Sequence, residues 1–208
     1  LEAGIEMSAR VELARRLADV PNAPPLLMRK LALDDEIAVA GAVLTRCERL
    51  DEATLVEGAK TKSQDHLLAI SQRGALSEAV TDVIVARGDL DVLCTVARND
   101  GARLSGYGYS CLVERAEGDD GLALAVGARA GLPRHLFLQL LAKASDNVRA
   151  RLEADDPQAR EDIRKVVAEI AHRVRSQSAE VARDYSAAVA RVETLHARGR
   201  LDQEQLAE

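Results

Sequence analysis

The sequence predicts an all-α fold: an α-solenoid of short helix pairs, followed by a long C-terminal helix. Three observations carry this expectation. A pair of residues suited to opening a helix recurs about every 27 positions. Apolar residues follow each pair at helical spacing. Aromatic residues make up only 2% of the chain, so its 47% of hydrophobic residues is mainly Leu, Val, Ile and Ala. Alanine has the highest helix propensity and lets helices approach closely.

The recurring pairs are Ala23-Pro24, Leu50-Asp51, Leu76-Ser77, Leu104-Ser105 and Leu132-Pro133. Serine and aspartate accept hydrogen bonds from the free amides of a first helical turn. Proline presets φ there, and the preceding apolar residue packs back onto the new helix. Leu27 and Leu31, Leu55 and Ala59, Val80 and Ile84, Tyr109 and Leu112, and Leu136 and Leu140 then mark the buried faces. A helix precedes each of the later pairs. Asp35 is expected to cap one carrying Val39, Val43 and Leu44. Ser63 is expected to cap one with Leu67 and Ile70, Asp89 one with Val92 and Val96, and Asp119 one with Leu122 and Val126. Two short helices per repeat cannot bury their apolar faces alone, and stacking the repeats does so. These units span residues 8–154.

The stretches "RGALSEAV" (73–80), "RAGLPRHL" (129–136) and "RGRLDQEQL" (198–206) share a frame. An arginine is followed three residues on by leucine and then by a helix opener. The arginine is read as closing its own helix, where a cation meets exposed carbonyls and the negative end of the dipole. A ladder of exposed arginines contacting an acidic partner is the sharper alternative, with Arg73 and Arg129 as its candidates.

The pattern changes after Asp155-Asp156-Pro157, a helix start. No Gly or Pro then occurs before Gly199. Val181, Tyr185, Ala188, Val192 and Leu195 follow heptad steps. Residues 157–198 therefore read as one charged helix of ~60 Å, with a hairpin broken near Ser176-Gln177-Ser178 as the alternative. Its stripe needs a partner, either the helical stack or a second copy in a homodimer. Residues 199–208 restart the frame, so a further, truncated helix is expected there.

The chain carries a net charge of −6, and no apolar run long enough to span a membrane. No signal peptide is apparent, and Cys47, Cys94 and Cys111 are too few and too far apart for a disulfide framework. This implies a cytoplasmic protein with reduced thiols, all three read as small core residues. An acidic total argues against binding nucleic acid through phosphate contacts. His66, His135, His172 and His196 show no metal-ligand spacing, and His66 and His135 read as core-edge or surface residues. No nucleophile elbow or phosphate loop occurs. Catalytic residues, cofactors and metals are therefore not expected. Arg87-Gly88-Asp89 is a helix end, a cap and a new start, not an adhesion motif. The stretch "SGYGYS" (105–110) places two glycines in a helix, at a cost of about 1 kcal/mol each. They allow close packing, or leave a groove in which Tyr107 and Tyr109 contact a ligand or partner.

The stretches "LARRLADVPNAPP", "LALDDEIAVAGAVL", "LSEAVTDVIVARGD" and "ARNDGARLS" occur together. As a set, from about Ser8 to Leu152, they resemble the alphaproteobacterial family known as domain of unknown function 2336. The resemblance implies a HEAT-like helical fold and no established activity. Together with the absence of a reactive constellation, this leads to the expectation of a non-enzymatic scaffold or adaptor for protein partners, in signalling or regulation. The alternatives are a HEAT-like nucleic-acid or DNA-repair module, and a small-molecule or enzymatic site near Tyr107 and Tyr109.

Overall fold

The computed structural model describes residues 2–155 and, beyond them, positions 161, 164, 165, 167–169 and 172. The questions of one helix or two over 157–198, of dimerisation through that stripe, of Arg198 and His196, and of a further helix at 199–208 lie outside the described residues. The chain divides into two compact units, residues 1–159 and 160–208.

The all-α class is borne out. Among the described residues of the first unit, eleven helices run in order: α1 (Glu2–Ala18), α2 (Pro25–Ala32), α3 (Ile37–Arg46), α4 (Glu52–Thr61), α5 (Gln64–Ser71), α6 (Glu78–Arg87), α7 (Leu90–Arg98), α8 (Gly106–Arg115), α9 (Asp120–Gly127), α10 (Arg134–Lys143) and α11 (Asp146–Asp155). The only extended pairing among the described residues is one isolated parallel bridge, between Leu76 and Ala102. Two helices had no counterpart in the repeat pattern. One is α1, which lies ahead of the first opener. The other is α11, for which Ser145 supplies a hydroxyl to the amide of Val148 at 3.3 Å.

Each helix packs on the helix two places further on. Odd-numbered helices from α1 to α11 form one layer and even-numbered helices from α2 to α10 form the other. Cross-layer contacts, such as α2 with α3 and α4 with α5, close the space between them. Leu44, Leu67, Ile70, Ile84, Leu93, Leu112, Leu122 and Leu140 are fully buried there. Ala32, Ala40 and Ala59 are completely covered, because a methyl group lets two helix backbones come close. The apolar positions read from the sequence are largely these buried ones; Leu27 is half-buried.

The openers stand where expected, but their chemistry varies. Asp89, Ser105 and Asp119 each accept from the amide three residues on: Val92 at 3.0 Å, Gly108 at 3.0 Å and Leu122 at 2.7 Å. Asp51, Ser63 and Ser77 occupy N-cap positions without making that bond. Asp51 accepts instead from the Thr54 hydroxyl. Asp35 does not cap α3. Glu36 takes the cap position, and Asp35 pairs with Lys62 at 2.5 Å. Pro24 and Pro133 stand at the N-cap, one residue before the helical position assigned to them. Gly88 ends α6 with an ordinary extended backbone, φ −61°. It is required for space, since a Cβ there would stand 2.8 Å from both the Ile84 carbonyl oxygen and Val92 Cγ1.

Candidate functional site

The arginine frame proves to join neighbouring repeats. Arg73 follows α5 in the turn rather than standing in its last turn. Its side chain therefore extends away from α5 to the end of α3. Nη1 donates to the Leu44 carbonyl at 2.5 Å and Nη2 to the Cys47 carbonyl at 2.8 Å. This corrects the expectation that the arginine closes its own helix. The dipole argument holds, but the helix it serves is the one two places earlier.

Arg129, after α9, does the same for α7. Its Nη1 donates to Asn99 at 2.9 Å and Ala97 at 3.1 Å, and its Nη2 to Ala102 at 2.6 Å. Between them, Asn99 serves α5, its amide donating to the carbonyls of Ser71 at 2.8 Å and Arg73 at 2.7 Å. Arg46 reaches the Arg15 carbonyl at the end of α1 at 3.1 Å. In the other layer Arg87 donates to Ala59 and Lys62 at the end of α4, and Arg115 to Gly88 at the end of α6. Sequence reading missed Arg46, Asn99, Arg87 and Arg115. The available signal was a long donor at the end of a helix, one repeat after the carbonyls it meets.

Arg73 is only 7% exposed. Burial pulls its guanidinium below the usual value, against the opposing effect of Cys47 and Glu48. Arg129 is half-buried. Their donors face carbonyls within the stack, so the structure does not bring them together as an exposed ladder. The two tyrosines part company. Tyr107 is 56% exposed, and a hydrogen bond with Cys111 pushes its phenol up. Tyr109 is buried, with its hydroxyl against the Gly131 backbone, where a Cβ would stand 2.6 Å from it. Gly108 lies tight against α6, its missing Cβ only 3.2 Å from Asp82 Oδ1, whereas Gly106 faces open space. Close packing thus accounts for one glycine of "SGYGYS".

His66 is not at the core edge but 1% exposed. Its Nε2 lies 3.0 Å from the Asp34 carbonyl and its Nδ1 2.7 Å from the Ser63 hydroxyl. A carbonyl only accepts, so Nε2 carries the proton and Nδ1 accepts from Ser63. Burial lowers the histidine pKa below 6.5, with Lys62 adding to the effect and Asp65 and Asp35 opposing it. The folded state therefore binds this proton less readily than the unfolded state. Stability from this group is fully present above pH 6.5 and falls as the pH drops through that value toward the folded pKa. Urea denaturation at pH 7.5 and 5.5 is expected to show a loss in wild type that is absent in His66→Gln. His135 and His172 are exposed. Cys47 is buried as expected, but Cys94 and Cys111 are only half-buried.

Two hollows lie among the described residues. One is an open groove of about 610 Å3 along α2, lined by Leu26, Leu27, Arg29, Lys30 and Leu33. The other has a volume of about 670 Å3 and lies between the α3–α4 and α5–α6 turns, with Arg73 and Ser77 in its wall. Neither includes Tyr107 or Tyr109. No group of three His, Cys, Asp or Glu side chains among the described residues is placed to hold a metal ion. No described helix is long and apolar enough to cross a membrane.

Fold and surface together define an all-α protein of stacked helix pairs, cross-tied by side chains that cap their neighbours. A family of uncharacterised proteins conserved in bacteria, DUF2336, matches residues 39–208, and the chain belongs to that family. The match begins beyond "LARRLADVPNAPP" and extends past Leu152 through the charged C-terminal segment. No curated protein and no solved structure matches the chain.

Proposed function

We propose that this protein is a non-enzymatic interaction module, an adaptor in bacterial signalling or regulation that holds a helix of a protein partner. The observation that carries this reading is the outer face of α2. Leu26 is 80% exposed and, with Leu27 and Leu33, forms an apolar groove edged by Arg29 and Lys30. The packing of each helix on the helix two places on supports reading the unit as an α-solenoid, an architecture that offers extended surfaces to partners. Arg29 also pairs with Glu57 at 2.5 Å, so Lys30 supplies the basic edge, and the apolar lining beside it suits an amphipathic helix whose apolar anchors are flanked by acidic residues.

Burying a leucine contributes about 1.5–3 kcal/mol, so Leu26→Glu is expected to weaken binding at least tenfold while leaving the fold intact. The test is affinity capture from native cells with wild type and Leu26→Glu, followed by titration of the purified protein that the variant loses. Loss of one partner, restored as direct binding to wild type alone, is the expected result. Identical capture by both forms would overturn the proposal.

A further inference from the structure

The groove along α2 lies at an end of the even-numbered layer. α2 packs on α4, and among the described residues no helix of that layer precedes it. Leu13 of α1 and Val20 in the segment after it are exposed as well as Leu26, so uncovered large apolar side chains gather at this end of the stack.

Within the layer, neighbouring helices run in the same sense, because their ends meet. Arg87 at the end of α6 donates to the Ala59 and Lys62 carbonyls at the end of α4, and Arg115 at the end of α8 donates to the Gly88 carbonyl at 3.1 Å. A cation from the following helix thus meets the last carbonyls of the one before. Counted from the N-caps Ser77, Ser105 and Pro24, the place of Arg87 and Arg115 falls on Asp34 in the α2 repeat. Asp34 pairs with Arg10 and Asp35 with Lys62, and Glu36 follows, exposed. A helix lying in the groove in the same sense as α2 would bring its negative end to carboxylates and find no donor. A helix of opposite sense would bring its positive end there.

The other end of the groove favours the same direction. α2 has no side-chain cap and no acidic residue in its first turn. Its positive end would be offset by the negative end of an opposed helix. Between the two ends Lys30 is exposed, while Arg29 beside it is engaged by Glu57.

Resting on the reading of the α2 groove as a docking site, we propose that the bound partner helix lies antiparallel to α2. Its N-terminus stands at the turn over 34–36, its apolar anchors lie on Leu26, Leu27 and Leu33, and an acidic residue faces Lys30.

The probe is a lactam-stapled amphipathic peptide with leucines on one face and a glutamate beside them. It carries a single nitroxide, at the N-terminus in one version and at the C-terminus in the other. Each version is titrated into the isotope-labelled full chain. Both are expected to shift amides along α2 in wild type, with at least tenfold weaker binding to Leu26→Glu. The N-terminal nitroxide is expected to broaden the amides of Asp35 and Glu36 more than those of Leu26 and Leu27, and the C-terminal nitroxide to do the reverse. A peptide with lysine in place of the glutamate should bind wild type several-fold more weakly, and Lys30→Glu should invert that preference. The opposite broadening pattern, or equal broadening at both ends, overturns the antiparallel placement while leaving the groove as a docking site. Absence of α2 shifts with either peptide overturns both.

Discussion

Arg73→Ala is expected to lower the unfolding free energy by about 3–5 kcal/mol, enough to abolish folding in a marginal domain. The side chain is buried and makes charged hydrogen bonds to the Leu44 and Cys47 carbonyls. Hydrogen bonds to charged groups contribute about 1.5–3 kcal/mol each, and truncation leaves the covered Leu44 carbonyl unpaired and the Cys47 carbonyl with only the Leu50 amide at 3.5 Å. It also removes apolar stem atoms from between α3 and α5. Arg73→Lys should recover only part of the loss, because an ammonium lacks the planar fork that meets two carbonyls at once. Urea denaturation with a constant m-value checks both variants. A loss below about 1 kcal/mol for Arg73→Ala would show that water replaces the guanidinium at those carbonyls.

Gly101→Ala is expected to be comparably damaging, at about 2–4 kcal/mol, for a different reason. A Cβ at Gly101 would fall well inside contact distance of the Gly74 carbonyl oxygen and 2.8 Å from the Gly74 carbonyl carbon. Those are backbone atoms, and no rotamer change can move them aside. The two turns are also tied together, since the Leu76 amide donates to the Gly101 carbonyl at 3.0 Å and the Arg103 amide to the Leu76 carbonyl at 3.0 Å. Relief of the clash must therefore break the bridge between Leu76 and Ala102. Gly106→Ala is the control, because nothing lies within 4 Å of its missing Cβ. Equal midpoints for wild type and Gly101→Ala in denaturant would disprove this account.

Both variants address joints between repeats, where sequence reading was least complete. Helix pairs were legible because their apolar faces recur with helical spacing, as at Val80 and Ile84 or Leu136 and Leu140. The N-cap positions of Asp89, Ser105 and Asp119 were legible because capping spans three residues. The terminal helix α1 escaped because it lies ahead of the first opener, and α11 escaped although Ser145 continues the series of openers Asp35, Ser63, Asp89 and Asp119. Tyr107 and Tyr109 were grouped as neighbours in sequence, yet a helix turns adjacent residues to different faces. One is exposed and the other buried against Gly131.

The stretch "RGALSEAV" shows where the boundary falls. From sequence alone it could be recognised as a joint, with a cation after one helix, an apolar staple and an opener for the next. Leu76 is buried and Ser77 is the N-cap of α6, as that reading requires. Only the tertiary structure decided that Arg73 serves α3 and that the Ser77 hydroxyl makes no cap. It also left Arg73 Nε and Ser77 Oγ buried without a hydrogen-bond partner among the described residues. Helix formation and capping act over three or four residues, so their determinants are adjacent in the chain. The partners of Arg73 lie 29 and 26 residues away. Their distance is set by how the repeats stack, which no local spacing records.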